Sequence, residues 1–191
     1  MTVEFPEPKT EDEAQRLKRF LEGGGQVAIT VVQAFDADGA ARATIGQSAT
    51  LKFPATAESV LKVLAGGGER RVTITLDLSE VKASDQFIAA VFINRPDASV
   101  RTSLDEPGFA GTVGFFVHSQ DHVGPSDKGD AEALRYELDV TTVLKRLQRP
   151  ADNLTATVVL FPHEKVSSAS VGLAVRRISL KVLESTVKRS S

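Results

Sequence analysis

The chain has no cysteine and no tryptophan, one methionine, one tyrosine and three histidines in 191 residues. The missing thiols exclude disulfides, cysteine-ligated zinc, iron–sulfur clusters and a thiol nucleophile. No charge sign dominates: 23 basic against 25 acidic residues leave a formal net charge of −2, which gives no electrostatic footprint for nucleic acid or an anionic membrane. No run reaches the roughly 20 apolar residues of a membrane-spanning helix. Met1 to Phe5 is acidic and short of apolar residues, unlike a secretory signal. These absences read as a soluble, cytoplasmic protein, bacterial by its lack of cysteine, with no nucleic-acid and no membrane partner.

Signatures of several enzyme classes are also missing. Gly23-Gly-Gly25 and Gly66-Gly-Gly68 are not phosphate loops, because no Gly-Lys-Ser/Thr follows either and no G-x-G-x-x-G opens a helix. They read as flexible helix terminators. Gly46-Gln-Ser48 lacks the closing glycine of a nucleophile elbow. The carboxylate pairs Asp77 and Glu80, and Asp127 and Asp130, read as solvated groups in polar turns. Asn153-Leu-Thr155 has the spacing of a glycosylation sequon, accidental in a cytosolic chain. The ten phenylalanines fall at core positions and the basic pairs Arg70-Arg71 and Arg176-Arg177 are isolated, the reverse of an interleaved nucleic-acid surface. No catalytic residue and no cofactor site is signalled.

What remains is a pattern of strands. Gly108-Phe-Ala-Gly-Thr-Val-Gly-Phe-Phe-Val117 is rich in Phe and Val and predicts a central strand. Gln26 to Phe35 is β-branched and apolar; Asp36-Ala-Asp-Gly39 is a turn, and Ala41 to Phe53 predicts its return strand. Val72, Ile74, Leu76 and Leu78 alternate with Thr73, Thr75 and Asp77, the pattern of a half-buried strand. Phe87 to Asn94 is nearly continuous in apolar character and predicts a central strand, stopped by Arg95-Pro-Asp97. Further strands are expected over Leu134 to Val140, Leu154 to Phe161 and Val171 to Leu183, the last with a parity shift at Arg176-Arg177 that predicts a β-bulge. Short helices are expected over Thr56 to Ala65 and Thr141 to Leu147. A third is expected after the capping box Thr10-Glu-Asp-Glu13, with Ala14, Leu17, Phe20 and Leu21 on one face. Some eight strands without a βαβ rhythm predict an all-β fold: an antiparallel β-sandwich or flattened barrel, jelly-roll-like, with two or three short peripheral helices. The division is an arm and helix over 1–25, one β-sandwich domain over 26–184 and a basic tail over 185–191.

The histidines are the only candidate metal ligands of note. His118 and His122 are four apart, where a strand runs into the polar loop of residues 119–132. On a helix they would share a face; in extended chain they stand about 13 Å apart, too far to share an ion. A turn at Ser119-Gln-Asp121 would bring them together and add Asp121, and His163, after Phe161-Pro162, could approach them. The bland reading is a pair of histidines at the end of a loop.

The second half resembles a known family. Phe109-Ala-Gly-Thr-Val113, Tyr136-Glu-Leu-Asp-Val-Thr-Thr-Val-Leu144, Leu154 to Pro162 and the closing Arg177-Ile-Ser-Leu-Lys-Val182 come in the order seen in the C-terminal β-domain of tyrosinases, polyphenol oxidases and related type-3 copper proteins. The match runs from about Val72 to Val182. The family's catalytic half binds two coppers through six histidines on a helical bundle. Three histidines cannot do this, so the resemblance carries over no catalytic residue. It implies a separated cover domain or partner subunit that shields or stabilises a copper oxidase, with the shielding segment in His118 to Lys128. The expectation is a non-catalytic chain without a cofactor, whose partner is a protein such as a type-3 copper oxidase catalytic domain, and an apolar patch on one face. The alternatives are a copper-handling protein using His118, His122 and His163, or an enzyme whose site no motif shows.

Overall fold

The computed structural model describes residues 26–82, 87–115, 134–147, 153–162 and 171–188. Within them the chain forms nine strands and two helices: β1 (Gln26–Asp36), β2 (Ala41–Thr44), β3 (Ala49–Lys52), α1 (Ala57–Leu64), β4 (Glu69–Lys82), β5 (Phe87–Ile93), β6 (Phe109–Phe115), β7 (Leu134–Asp139), α2 (Thr141–Arg146), β8 (Thr155–Pro162) and β9 (Gly172–Lys188). They make an all-β sandwich of two antiparallel sheets. One has the order β1-β9-β4-β7, with β2 continuing the β1 side of β9; the other has the order β3-β8-β5-β6.

The alternation of the long strands builds the core. Ile74 and Leu76 of β4 and Ile178, Leu180 and Val182 of β9 point inward with Leu51, Phe87, Val91, Val158 and Leu160 of the facing sheet, all 2% exposed or less. Each such side chain contributes roughly 1.5–3 kcal/mol by leaving water. The bulge expected near Arg176-Arg177 is present: Asp77 of β4 faces Arg177 and Leu78 faces Val175, leaving Arg176 as the extra residue. α1 is capped by the Thr56 hydroxyl, which accepts from Ser59 N. α2 buries Val143 and Leu144.

Four expectations are corrected. The run from Gly108 is not central: β6 ends its sheet, pairs only with β5 among the described residues, and buries only Val113 and Phe115. Its glycines serve close approach instead. Gly111, at φ +147°, lies under the Leu138 side chain of β7, where a Cβ would crowd it at 3.3 Å. Ala41 to Phe53 is not one return strand. It leaves the first sheet after β2, turns at Gly46 and enters the second sheet as β3. β4 is not half-buried, because as an inner strand it is covered on both faces, with Thr73, Thr75 and Asp77 at 2%, 2% and 5% exposure. Asp77 and Glu80 therefore lie within a strand, not in a polar turn.

Three of the four sheet margins are closed. β6 stands beside β7, where Tyr136 packs edge-on to Phe115 at 5.5 Å, itself stacked on Phe87 of β5 at 4.6 Å. The crossing from β2 to β3 closes the opposite side, with Ile45 bridging to Leu160. The outer edge of β1 has no neighbouring strand among the described residues.

Candidate interaction surface

β1 carries the main exposed apolar feature. Its register with β9 places Val27 opposite Val187, Ile29 opposite Ser185 and Val31 opposite Leu183, while Val182 points into the core. Val27, Ile29 and Val31 therefore share the outer face, and they are 47%, 55% and 56% exposed. A register shift between Val31 and Gln33 marks Val32 as a bulge and turns Phe35 back toward the core. Covering three side chains that are half in water would contribute about 2–4 kcal/mol. From Gln26 to Phe35 the strand has no charge and no proline, two of the features with which proteins protect a sheet edge; a third, a bulge, comes only at Val32.

Charge collects next to this strip. Arg177 grips Asp36 through Nε at 3.0 Å and through Nη2, and the Ser179 hydroxyl donates to the same carboxylate at 2.6 Å. The Arg177 and Ser179 hydrogen bonds hold the Asp36 carboxyl below its ordinary range. Across β9, Arg135 donates through Nε to Asp77 at 2.7 Å, and that hydrogen bond raises the Arg135 guanidinium above its ordinary value. Each of the two carboxylates is thus paired with an arginine.

Arg70, expected as a solvated edge, is instead a strut. It donates to Glu184 Oε1 at 3.1 Å and to the Val63 carbonyl at 2.6 Å, which ties the C-terminal end of α1 to the first sheet. Beside α1 and α2 an open depression of about 580 Å³ is lined by Ala57, Glu58, Leu61, Lys62 and Leu147. Among the described residues its polar lining is Glu58 and Lys62, one turn apart on α1.

The metal candidates His118, His122 and His163, with Asp121, the segment His118 to Lys128 and the pair Asp127 and Asp130, lie outside the described residues. So does the helix expected after Thr10. Among the described residues no three histidine or acidic side chains gather as metal ligands, and no helix is long and apolar enough to cross a membrane. Asn153 is exposed, just before β8. The exposed strip was not singled out in the sequence. Its signal was the uncharged run itself, which periodicity does not distinguish from an inner strand.

None of the curated proteins matches the chain in sequence. Solved structures similar to it include latent aurone synthase (polyphenol oxidase) from natural source, with TM-score 0.40 and 13% identity over 80% of this chain and 25% of that one. The recombinantly expressed latent aurone synthase co-crystallized with hexatungstotellurate(VI) gives TM-score 0.39 and 15% identity over 83% of this chain and 26% of that one. The chain thus spans about a quarter of the length of these oxidases, and likeness of this degree assigns no role. Residues 30–182, most of the sandwich, match the family described as "Domain of unknown function (DUF7868)", and the chain belongs to that family.

Proposed function

We propose that this chain is a non-catalytic β-sandwich module that docks on another protein, a tyrosinase-like type-3 copper oxidase, and shields or stabilises it. The observation that carries the reading is the outer face of β1, where Val27, Ile29 and Val31 stand half in water on a strand without charge. Such a strip on a rigid sheet suits a protein surface better than a small substrate, which needs a concave site with convergent polar groups. The order of the segments Phe109 to Val113, Tyr136 to Leu144, Leu154 to Pro162 and Arg177 to Val182, similar to the C-terminal domain of those oxidases, supports the choice of partner. The module contributes no catalytic group on this reading, and the copper belongs to the partner.

The test is affinity capture of the tagged chain from its native lysate, with co-purifying proteins identified by mass spectrometry. A type-3 copper oxidase in stoichiometric amount, lost when Val31→Lys places a charge on the strip, is the expected result. Absence of such an oxidase, or its undiminished capture by the Val31→Lys chain, overturns the proposal.

A further inference from the structure

The side chains of β1 form a face, but its backbone forms an edge, and the two can be occupied independently. The β6–β7 contact and the β2–β3 crossing close the other margins of the sandwich. The outer edge of β1 presents a row of N–H and C=O groups with no strand alongside it among the described residues. An open edge of this kind is a template for strand addition unless charge, proline or a bulge blocks it. From Gln26 to Val31 nothing blocks it: the six residues are uncharged, and the bulge comes only at Val32.

We infer that the occupant of this edge is β1 of a second copy, added antiparallel about a two-fold axis at Ile29. A two-fold contact requires a surface that complements itself, and Val27-Ala-Ile-Thr-Val31 does so. In this register Val27 meets Val31 of the second copy, Ala28 meets Thr30, and Ile29 meets its own equivalent. Large β-branched residues pair on the outer face and small ones on the inner, with no like charges opposed. The two first sheets become one continuous sheet. The Val27, Ile29 and Val31 side chains of both copies stay on its outer face and form a strip twice as wide. Strand addition therefore leaves the partner-docking face open, and the inference stands whether or not the partner is an oxidase. Five paired residues run about 17 Å and make a contact smaller than the roughly 1,200 Å² of a standard stable interface. The dimer is accordingly weak and forms with concentration.

The experiment is sedimentation of the purified full chain over about 5–500 µM, a range suited to a small interface. The weight-average mass is expected to rise from one chain toward two. Ile29→Lys and Ile29→Glu, each with like charges opposed at the axis, should remain monomeric, and their equimolar mixture should regain the dimer. Because the chain has no cysteine, Ile29→Cys introduces a single thiol whose Cβ would lie about 5 Å from its mate. Under mild oxidation it should cross-link at least about 10-fold faster than Val100→Cys, a control on the loop between β5 and β6, where no approach of two copies is proposed. This conservative variant decides the matter if the charged ones fail to fold. A chain that stays monomeric throughout overturns the inference and leaves the edge to residues 1–25 or to a strand of another protein. A dimer indifferent to all three variants also overturns it, because the contact would then lie elsewhere. Neither result bears on the capture of an oxidase, which is read separately.

Discussion

Thr75→Val should make the protein more stable. Thr75 sits in β4 between Ser179 of β9 and Glu137 of β7, 2% exposed, and its Oγ1 has no hydrogen-bond partner among the described residues. The Ser179 hydroxyl beside it is already committed to Asp36. A hydroxyl withdrawn from water without a partner costs about 1–3 kcal/mol by the measure of protein substitutions. Valine has nearly the same shape, is also β-branched and keeps the strand preference. The exchange removes the desolvation cost and sacrifices no bond, so the expected gain is about 1–2 kcal/mol, or a rise in Tm of about 2–8 °C for a chain of this size. The control is Thr157→Val in β8. Thr157 is as deeply buried, but its hydroxyl bonds the Thr50 hydroxyl at 3.0 Å. The same substitution should there lower stability by about 1 kcal/mol. Urea unfolding of the three proteins, with equal m-values, gives both differences directly. If Thr75→Val unfolds at the same or a lower urea concentration than the parent, the hydroxyl is satisfied in solution and the reasoning fails.

Arg70→Met keeps the aliphatic stem but removes the bonds to Glu184 and the Val63 carbonyl; a loss of about 1.5–3 kcal/mol is expected in urea unfolding. Gly108→Ala should cost about 1–3 kcal/mol by crowding, since a Cβ there would lie 2.5 Å from the Ile93 carbonyl oxygen; thermal unfolding would show it. Asp36 is held below its ordinary carboxyl range by Arg177 and Ser179, so its contribution is complete above the unfolded value and is lost as pH falls through the folded one. Asp36→Asn should then be slightly less stable than the parent at neutral pH, by less than about 1 kcal/mol because the pair is half exposed and screened. Thermal unfolding as a function of pH should show the gap closing in acid and shrinking in salt. Isothermal titration of the full chain with Cu(II) should give no site tighter than micromolar; a tighter site weakened by His118→Ala would favour copper handling instead.

The fold was legible because burial in a sandwich imposes a period of two. Val72 to Leu78 and Val171 to Leu183 announce their inner faces by alternation, and the bulge at Arg176 is written as a parity break. What periodicity does not contain is the order of strands within a sheet. The stretch Phe109 to Phe115 has the composition of an inner strand, yet it lies at the end of its sheet, where its glycines admit Leu138 of β7. Phe87 to Ile93 has similar composition and is inner, paired with β6 on one side and β8 on the other, while the loop from Arg95 to Gly108 packs Ala98 with Phe92 and Val159 over its outer face. The difference is made by residues far along the chain. For the same reason Thr73, Thr75 and Asp77 read as a solvent face and are buried, while Arg70 reads as solvated and braces a helix.

The candidate surface was hidden by the inverse error. An uncharged β-branched run such as Gln26 to Phe35 is ordinarily a strand with neighbours on both sides. Here the chain turns at Gly39 and Gly46 and carries β2 and β3 away from β1, so that one margin has no partner strand among the described residues. An apolar edge free of gatekeeping charge invites unwanted pairing in any sequence that must stay soluble. The same sheet face is charged farther in: β9, which pairs with β1, and β4 beyond it carry Arg177, Lys181 and Arg71 there. A strand left bare beside a charged one is the feature on which both proposals rest. Its edge is where a second β1 is proposed to pair, and its face is where a partner protein is proposed to dock.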